Sequence, residues 1–199
     1  MPSVAARILS LARKRGVIRT ADITAAGIPR VELTRLERSG QLVRAARGIY
    51  RLPDADITEH HALAEACARV QHGVVCLLSA LRFHELTTQQ PFEVWLAIDP
   101  KARKPALDSP PLRIVRFSPR ARRTGVERHT VEGVSVAVTS PARTVVDCFR
   151  YRNKVGLDVA LEALREYWRA HRRGMDALWK IAKAMGAMNV IRPYAEALG

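Results

Sequence analysis

Gly27-Ile28-Pro29-Arg30-Val31-Glu32-Leu33-Thr34-Arg35-Leu36-Glu37-Arg38-Ser39-Gly40 is the stretch on which the fold turns. Pro29 suits the first turn of a helix, where its missing N–H costs nothing. Ser39-Gly40 supplies the stop, since glycine accepts the left-handed conformation that ends many helices. Between those limits Leu33 and Leu36, with Ile28 ahead of them, share one side at helical spacing. Arg30, Thr34 and Arg35 point away from that side, and Arg38 closes the helix.

The flanks extend the pattern. Upstream, Val4 to Arg15 reads as a helix with Val4, Ile8 and Leu11 inward, ended by Gly16. Val17-Ile18-Arg19 is a short extended piece, and Thr20 is expected to cap a second helix, Ala21 to Ala26. Downstream, Gln41–Arg44 and Gly48–Leu52 are short β segments joined by Ala45-Ala46-Arg47, with Tyr50 anchoring the hairpin. Helix, strand, helix, tight turn, helix and hairpin make a winged helix-turn-helix over residues 1–53, whose third helix enters the major groove of DNA.

Charge points the same way. Residues 1–52 hold eleven Lys/Arg against three Asp/Glu, while the other 147 hold twenty-two against sixteen, so the excess sits at the N-terminus. Such a surface favours a polyanion, because each neutralised phosphate releases condensed counterions. The DNA-binding residues expected are Arg30, Thr34, Arg35 and Arg38 on the helix and Arg44, Arg47 and Arg51 in the wing. Arg30 or Arg35 would grip a guanine, a contact that discriminates by roughly 1–3 kcal/mol. Thr34 would touch a thymine methyl or a phosphate.

Pro53-Asp54-Ala55-Asp56 breaks the pattern, and residues 57–199 are read as a second domain. Its expected helices are Glu59 to Gln71 (capped by Thr58), Leu77 to Leu86 (capped by Ser79), Ser140 to Tyr151, Gly156 to Arg172, Met175 to Met185 and Val190 to Leu198. Its expected strands are Phe92–Ile98, Leu112–Phe117, Thr130–Glu132 and Val134–Val138. The fold class is α+β: a winged helix followed by a small, mostly antiparallel sheet with helices around it. No apolar run reaches the ~20 residues of a membrane span. Met1 to Ser10 lacks the pattern of a signal peptide, so a cytoplasmic location is expected.

Three constellations invite chemistry, and each has a plainer account. His60-His61 beside Glu59 and Glu65 resembles a metal set, but adjacent histidines on a helix diverge. Glu93, Asp99 and Lys101 resemble a nuclease set, but their spacing is wrong for one. Ser140 through Thr144 with Asp147 reads as a capped helix whose Arg143 and Asp147 pair on its face. Cys67, Cys76 and Cys148 are scattered among apolar neighbours and read as buried reduced thiols. No metal, cofactor or catalysis is therefore expected. A second basic cluster, Arg113, Arg116, Arg120, Arg122 and Arg123, is either a solvated loop or a second nucleic-acid surface.

These residues resemble a family. Gly27-Ile28-Pro29-Arg30 through Leu33, Leu36, Gly40 and Leu42, then Arg47-Gly48-Ile49-Tyr50, look like the winged helix of AbiEi-type antitoxins of type IV toxin–antitoxin systems. Leu78-Ser79-Ala80-Leu81, His84-Glu85-Leu86-Thr87 and Thr139-Ser140-Pro141-Ala142-Arg143-Thr144 with Asp147 are similar to that family's C-terminal region. The resemblance implies an antitoxin that represses its own operon by binding double-stranded DNA at inverted repeats. It would counter a nucleotidyltransferase-like toxin without a stable complex, acting as a monomer or weak dimer on DNA. The alternatives are a transcriptional regulator without a toxin partner, and a nucleic-acid-processing enzyme targeted by the winged helix.

Overall fold

The computed structural model describes residues 3–46, 48–54, 58–171 and 175–197. The chain divides into two units, residues 1–71 with 129–136, and residues 72–128 with 137–199. Among the described residues no helix is long and apolar enough to cross a membrane.

The first unit opens with α1 (Val4–Arg15), whose Ser3 hydroxyl accepts the Ala6 N–H at 3.1 Å. Then come β1 (Val17–Arg19), α2 (Thr20–Ala25), α3 (Val31–Arg38), β2 (Val43–Ala46), β3 (Ile49–Arg51) and α4 (His61–Arg69). The three strands form an antiparallel sheet in the order β1-β3-β2. Ile8, Ile18, Ile23, Ile28, Leu33, Leu36, Leu42 and Tyr50 are buried together beneath it. Each such side chain contributes roughly 1.5–3 kcal/mol by leaving water.

Two expectations need correction here. Val4, the first residue of α1, is 40% exposed and stands outside the buried set. Thr20 lies inside α2 rather than capping it. Arg19 holds the cap position, and the Asp22 carboxylate accepts its backbone N–H at 3.2 Å and its Nε at 3.1 Å. Thr20 serves the wing instead, donating its hydroxyl to the Gly48 carbonyl at 3.3 Å.

A turn at residues 129–136 also packs in this unit. Gly133 (φ +76°) and Gly16 (φ +69°) bring two backbone segments so close that a Cβ on either would overlap the other segment's carbonyl group. Beside them Glu132 accepts the Thr58 N–H at 2.8 Å and the Thr58 hydroxyl at 3.0 Å, and its other oxygen meets His61 Nδ1 at 2.6 Å. Burial works to raise this carboxyl, but the bonds from His61 and Thr58 outweigh it and hold the group below the usual range. A carboxyl lowered in the fold contributes stability above its unfolded pKa and loses it as pH falls through the folded value. Glu132→Gln is thus expected to cost about 1 kcal/mol near neutral pH, roughly 4–8 °C in a unit of this size. Melting curves taken at steps down into the carboxylate range check it, and the gap from the parent protein should close with acid.

A five-stranded sheet, most of it in the second unit but with residues 129–136 of its last two strands counted in the first, has the order β6-β5-β4-β8-β7, from β4 (Val74–Val75), β5 (Val94–Ile98), β6 (Leu112–Arg116), β7 (Val126–Val131) and β8 (Val134–Thr139). Pairing is mixed: β4 runs antiparallel to β5, while β4–β8 and β5–β6 are parallel. The helices are α5 (Leu77–Phe83), α6 (Pro141–Arg150), α7 (Arg152–Val155), α8 (Leu157–Ala170), α9 (Met175–Ala184) and α10 (Met188–Glu196). Every residue of α6 from Ala142 to Phe149 is buried, because α5, α8, α9 and α10 all pack against it. A helix apolar all round belongs at the centre of a core. This one also holds Arg143 and Asp147, both with no exposed surface.

Candidate nucleic-acid interface

Helical geometry sorts α3 into two faces. Leu33 and Leu36 are buried, whereas Arg30, Val31, Thr34, Arg35 and Arg38 are exposed. Arg30, Thr34 and Arg38 are four residues apart in turn, so they form one stripe along the open face, with Val31 and Arg35 forming the next. Glu32 and Glu37 are half-buried at the margins. The open face is thus cationic along its whole length.

Two contacts tune it. The Arg30 Nε donates to the Thr24 hydroxyl at 3.4 Å, and that hydroxyl donates in turn to the Thr20 carbonyl at 2.9 Å. Arg30 is thereby steered from α2 while its two terminal nitrogens stay open among the described residues. Arg35 instead pairs with Glu32 at 2.7 Å, with its own side chain 70% exposed. An ion pair so exposed is worth little, about 0–1 kcal/mol, and a phosphate can displace it.

In the wing, Arg44 is exposed on β2, which carries an irregularity between Arg44 and Ala46. Arg51 lies on β3, the central strand of the small sheet, half-buried, with Nη1 donating to the Leu52 carbonyl at 3.3 Å. Its charge is accordingly less open than that of Arg44. Arg47 lies outside the described residues. Tyr50 is buried and anchors the hairpin to the core.

The order of elements, the buried leucines and the open cationic helix coincide in one segment. Residues 6–53 match the family described as transcriptional regulator, AbiEi antitoxin. The AbiEi match therefore covers the helix-turn-helix and its hairpin. Among solved structures, the RV2827C protein from Mycobacterium tuberculosis is similar, with a TM-score of 0.49 and 21% identity over 84% of this chain and 72% of that one. No curated protein matches the chain.

Two residues of the AbiEi-like segment escaped the sequence reading. Val31 is 52% exposed beside Arg30, although an apolar residue in a helix is first assigned to the core. Its signal was its place two residues before Leu33, off the buried stripe. Thr24 was read only as part of α2, and nothing in sequence spacing joins it to Arg30.

Beyond the AbiEi-like segment the five arginines of the second cluster separate. Arg116 Nη1 donates to the carbonyls of Asp99 (2.7 Å) and Ala102 and pins that turn. Arg122 pairs with Asp99 at 3.0 Å, and Arg120 reaches the Ala184 carbonyl at 3.4 Å. Arg113 lies over the Trp95 ring at 5.5 Å, and Arg123 is exposed on the loop. The cluster is chiefly a set of loop fasteners, with Arg113 the best placed for a ligand.

The other motifs are also structural. Ser79 caps nothing: Cys76 precedes α5, and the buried Ser79 hydroxyl accepts the Trp95 N–H at 2.9 Å. Ser140 does cap α6, accepting the Arg143 N–H at 3.3 Å. His84 Nε2 lies 2.7 Å from the Thr139 carbonyl oxygen and so joins the two C-terminal motifs. Arg143 and Asp147 pair at 2.8 Å as expected, but inside the core rather than on a helix face. Cys67, Cys76 and Cys148 are buried and in no disulfide. Burial, reinforced by Asp147, pushes the Cys76 and Cys148 thiols up, so both stay protonated near neutral pH. Asp99 is taken by Arg122, and Glu93 lies 4.0 Å from Arg113, so the two carboxylates of the nuclease-like set face arginines.

Proposed function

We propose that the protein is a sequence-specific repressor of its own operon and the antitoxin of a type IV toxin–antitoxin system. The observation that carries this is the stripe of Arg30, Thr34 and Arg38, held open by the buried Leu33 and Leu36 in the segment that matches AbiEi regulators. α3 enters the major groove, Arg30 and Thr34 meet base edges, and Arg35, Arg38, Arg44 and Arg47 meet phosphates. One such module touches few base pairs, so tight binding needs two of them, set by inverted repeats in the promoter. The protein works in the cytoplasm as a monomer or weak dimer on DNA. Its counterpart is a nucleotidyltransferase-like toxin, countered without a stable complex and without a catalytic step by this chain.

The test is fluorescence anisotropy on a duplex from the gene's own promoter, at low and moderate salt, against a scrambled duplex. Specific binding is expected to exceed non-specific binding by at least about 10³-fold. Affinity should fall steeply with salt for both duplexes. Equal affinity for promoter and scrambled DNA would remove the repressor assignment. Growth rescue on co-expression with a nucleotidyltransferase encoded beside the gene tests the antitoxin half separately, and the lack of any such gene would count against it.

A further inference from the structure

The second unit holds a groove of about 610 Å³ along the edge strand β6 and the short helix α7. Four cations line it, Lys104, Arg113, Arg116 and Lys154, against the single carboxylate of Glu93. Two of the four are held on aromatic faces. Arg113 sits opposite Trp95 in the β5–β6 register and lies 5.5 Å over its ring, and Lys154 lies 5.6 Å over Tyr151. Trp95 is buried, whereas the Arg113 side chain is 57% exposed, so the guanidinium turns one face to the ring and the other to the groove. Cations fixed in this way lose little freedom when an anion arrives.

We propose that this groove binds a nucleoside di- or triphosphate. The volume is that of a small-molecule site, which spans about 300–1,000 Å³. Four positive charges line this one groove, Arg116 with its Nη1 held by backbone carbonyls, and such a set calls for several phosphate charges on one ligand. The open face of Arg113 takes a base by stacking, and the Glu93 carboxylate and the Asn153 amide, both lining the groove, read its edge. The inference is independent of the DNA-binding reading, since none of these residues lies in α3 or the wing.

Isothermal titration of the full chain with ATP and GTP tests it, with pyrophosphate and a short single-stranded oligonucleotide as comparison ligands. Saturable one-to-one binding of a nucleotide is expected, weakened at least tenfold by Arg113→Ala and by Lys154→Ala. Arg123→Ala, outside the groove, should bind as the parent does. All three side chains are exposed, and unchanged melting curves confirm that the variants fold. Promoter affinity of Arg113→Ala should equal that of the parent, which separates this site from the winged helix. The proposal is overturned if neither nucleotide saturates at millimolar concentration, or if both groove variants bind like the parent. Pyrophosphate bound as tightly as ATP and GTP would remove the nucleoside from it. Tighter binding of the oligonucleotide would make the groove a strand-binding surface instead.

Discussion

Replacing Arg143 with Leu is expected to destabilise the second unit by about 3–5 kcal/mol, the cost of leaving one partner of a buried ion pair alone. The Arg143 Nε donates to Asp147 at 2.8 Å, and both side chains have no exposed surface. Nη1 donates to the carbonyls of Ala121 and Thr124, so the same guanidinium holds the loop after β6. The group also lies over the Phe117 ring at 5.3 Å. One nitrogen, Nη2, has no partner among the described residues and adds a desolvation cost of its own. Burial pushes the Asp147 carboxyl above its ordinary range, against the pull of Arg143 and Arg150. The pair thus offsets its own desolvation more than it adds net stability. Two consequences separate this account from a simple loss of volume. An Arg143→Leu, Asp147→Leu double variant should be more stable than either single one, because no lone charge is left behind. The loss in Arg143→Leu should also grow with pH, since a carboxyl raised in the fold must take up a proton on folding once the medium is above its unfolded pKa. Trp95, Trp168 and Trp179 all lie in the second unit, so urea titration followed by tryptophan fluorescence reads that unit alone. A single Arg143→Leu variant as stable as the parent would refute the account.

Arg143 also shows why part of the fold was hidden in the sequence. The spacing of Arg143 and Asp147 identifies partners but says nothing of depth, and a charged pair is assigned to the surface by habit. The signal was in the neighbours: among Ala142 to Phe149, setting those two aside leaves Thr144 as the one other hydrogen-bonding side chain besides the thiol, against Ala142, Val145, Val146, Cys148 and Phe149. The N-terminal unit was readable because Ile8 with Leu11 on α1 and Leu33 with Leu36 on α3 stand at helical spacing and glycines mark where the helices stop. β4 was not readable, because two residues cannot show alternation. Nor was the packing of residues 129–136 in the first unit, since Glu132 meets Thr58 across more than seventy residues of chain. The open face of α3 followed from helical period alone, yet the exposure of Val31 and the grip of Thr24 on Arg30 depend on tertiary geometry.

Changing Arg30 to Ala is expected to weaken promoter binding by roughly 5–150-fold, the equivalent of 1–3 kcal/mol for one bidentate guanine contact. Binding to scrambled DNA should fall much less, so the ratio between the two shrinks. Arg30 is the residue of choice because its Nε is engaged by Thr24 while the fork of terminal nitrogens stays open. Arg30→Lys should not restore the ratio, since an ammonium cannot make the paired contact. Thr24→Val should lower it by a smaller step, because Arg30 is then present but unsteered. Arg38→Ala and Arg44→Ala should behave differently, lowering promoter and scrambled affinities together and reducing the salt slope by about one each. This contrast is what distinguishes a reading helix from a merely basic surface. A surface that attracts DNA by charge alone would respond to all of these arginines alike, with lysine as good as arginine at every position. Should Arg30→Lys bind the promoter as the parent does, α3 would be a docking strip for phosphates, and sequence choice would have to come from the shape of the duplex.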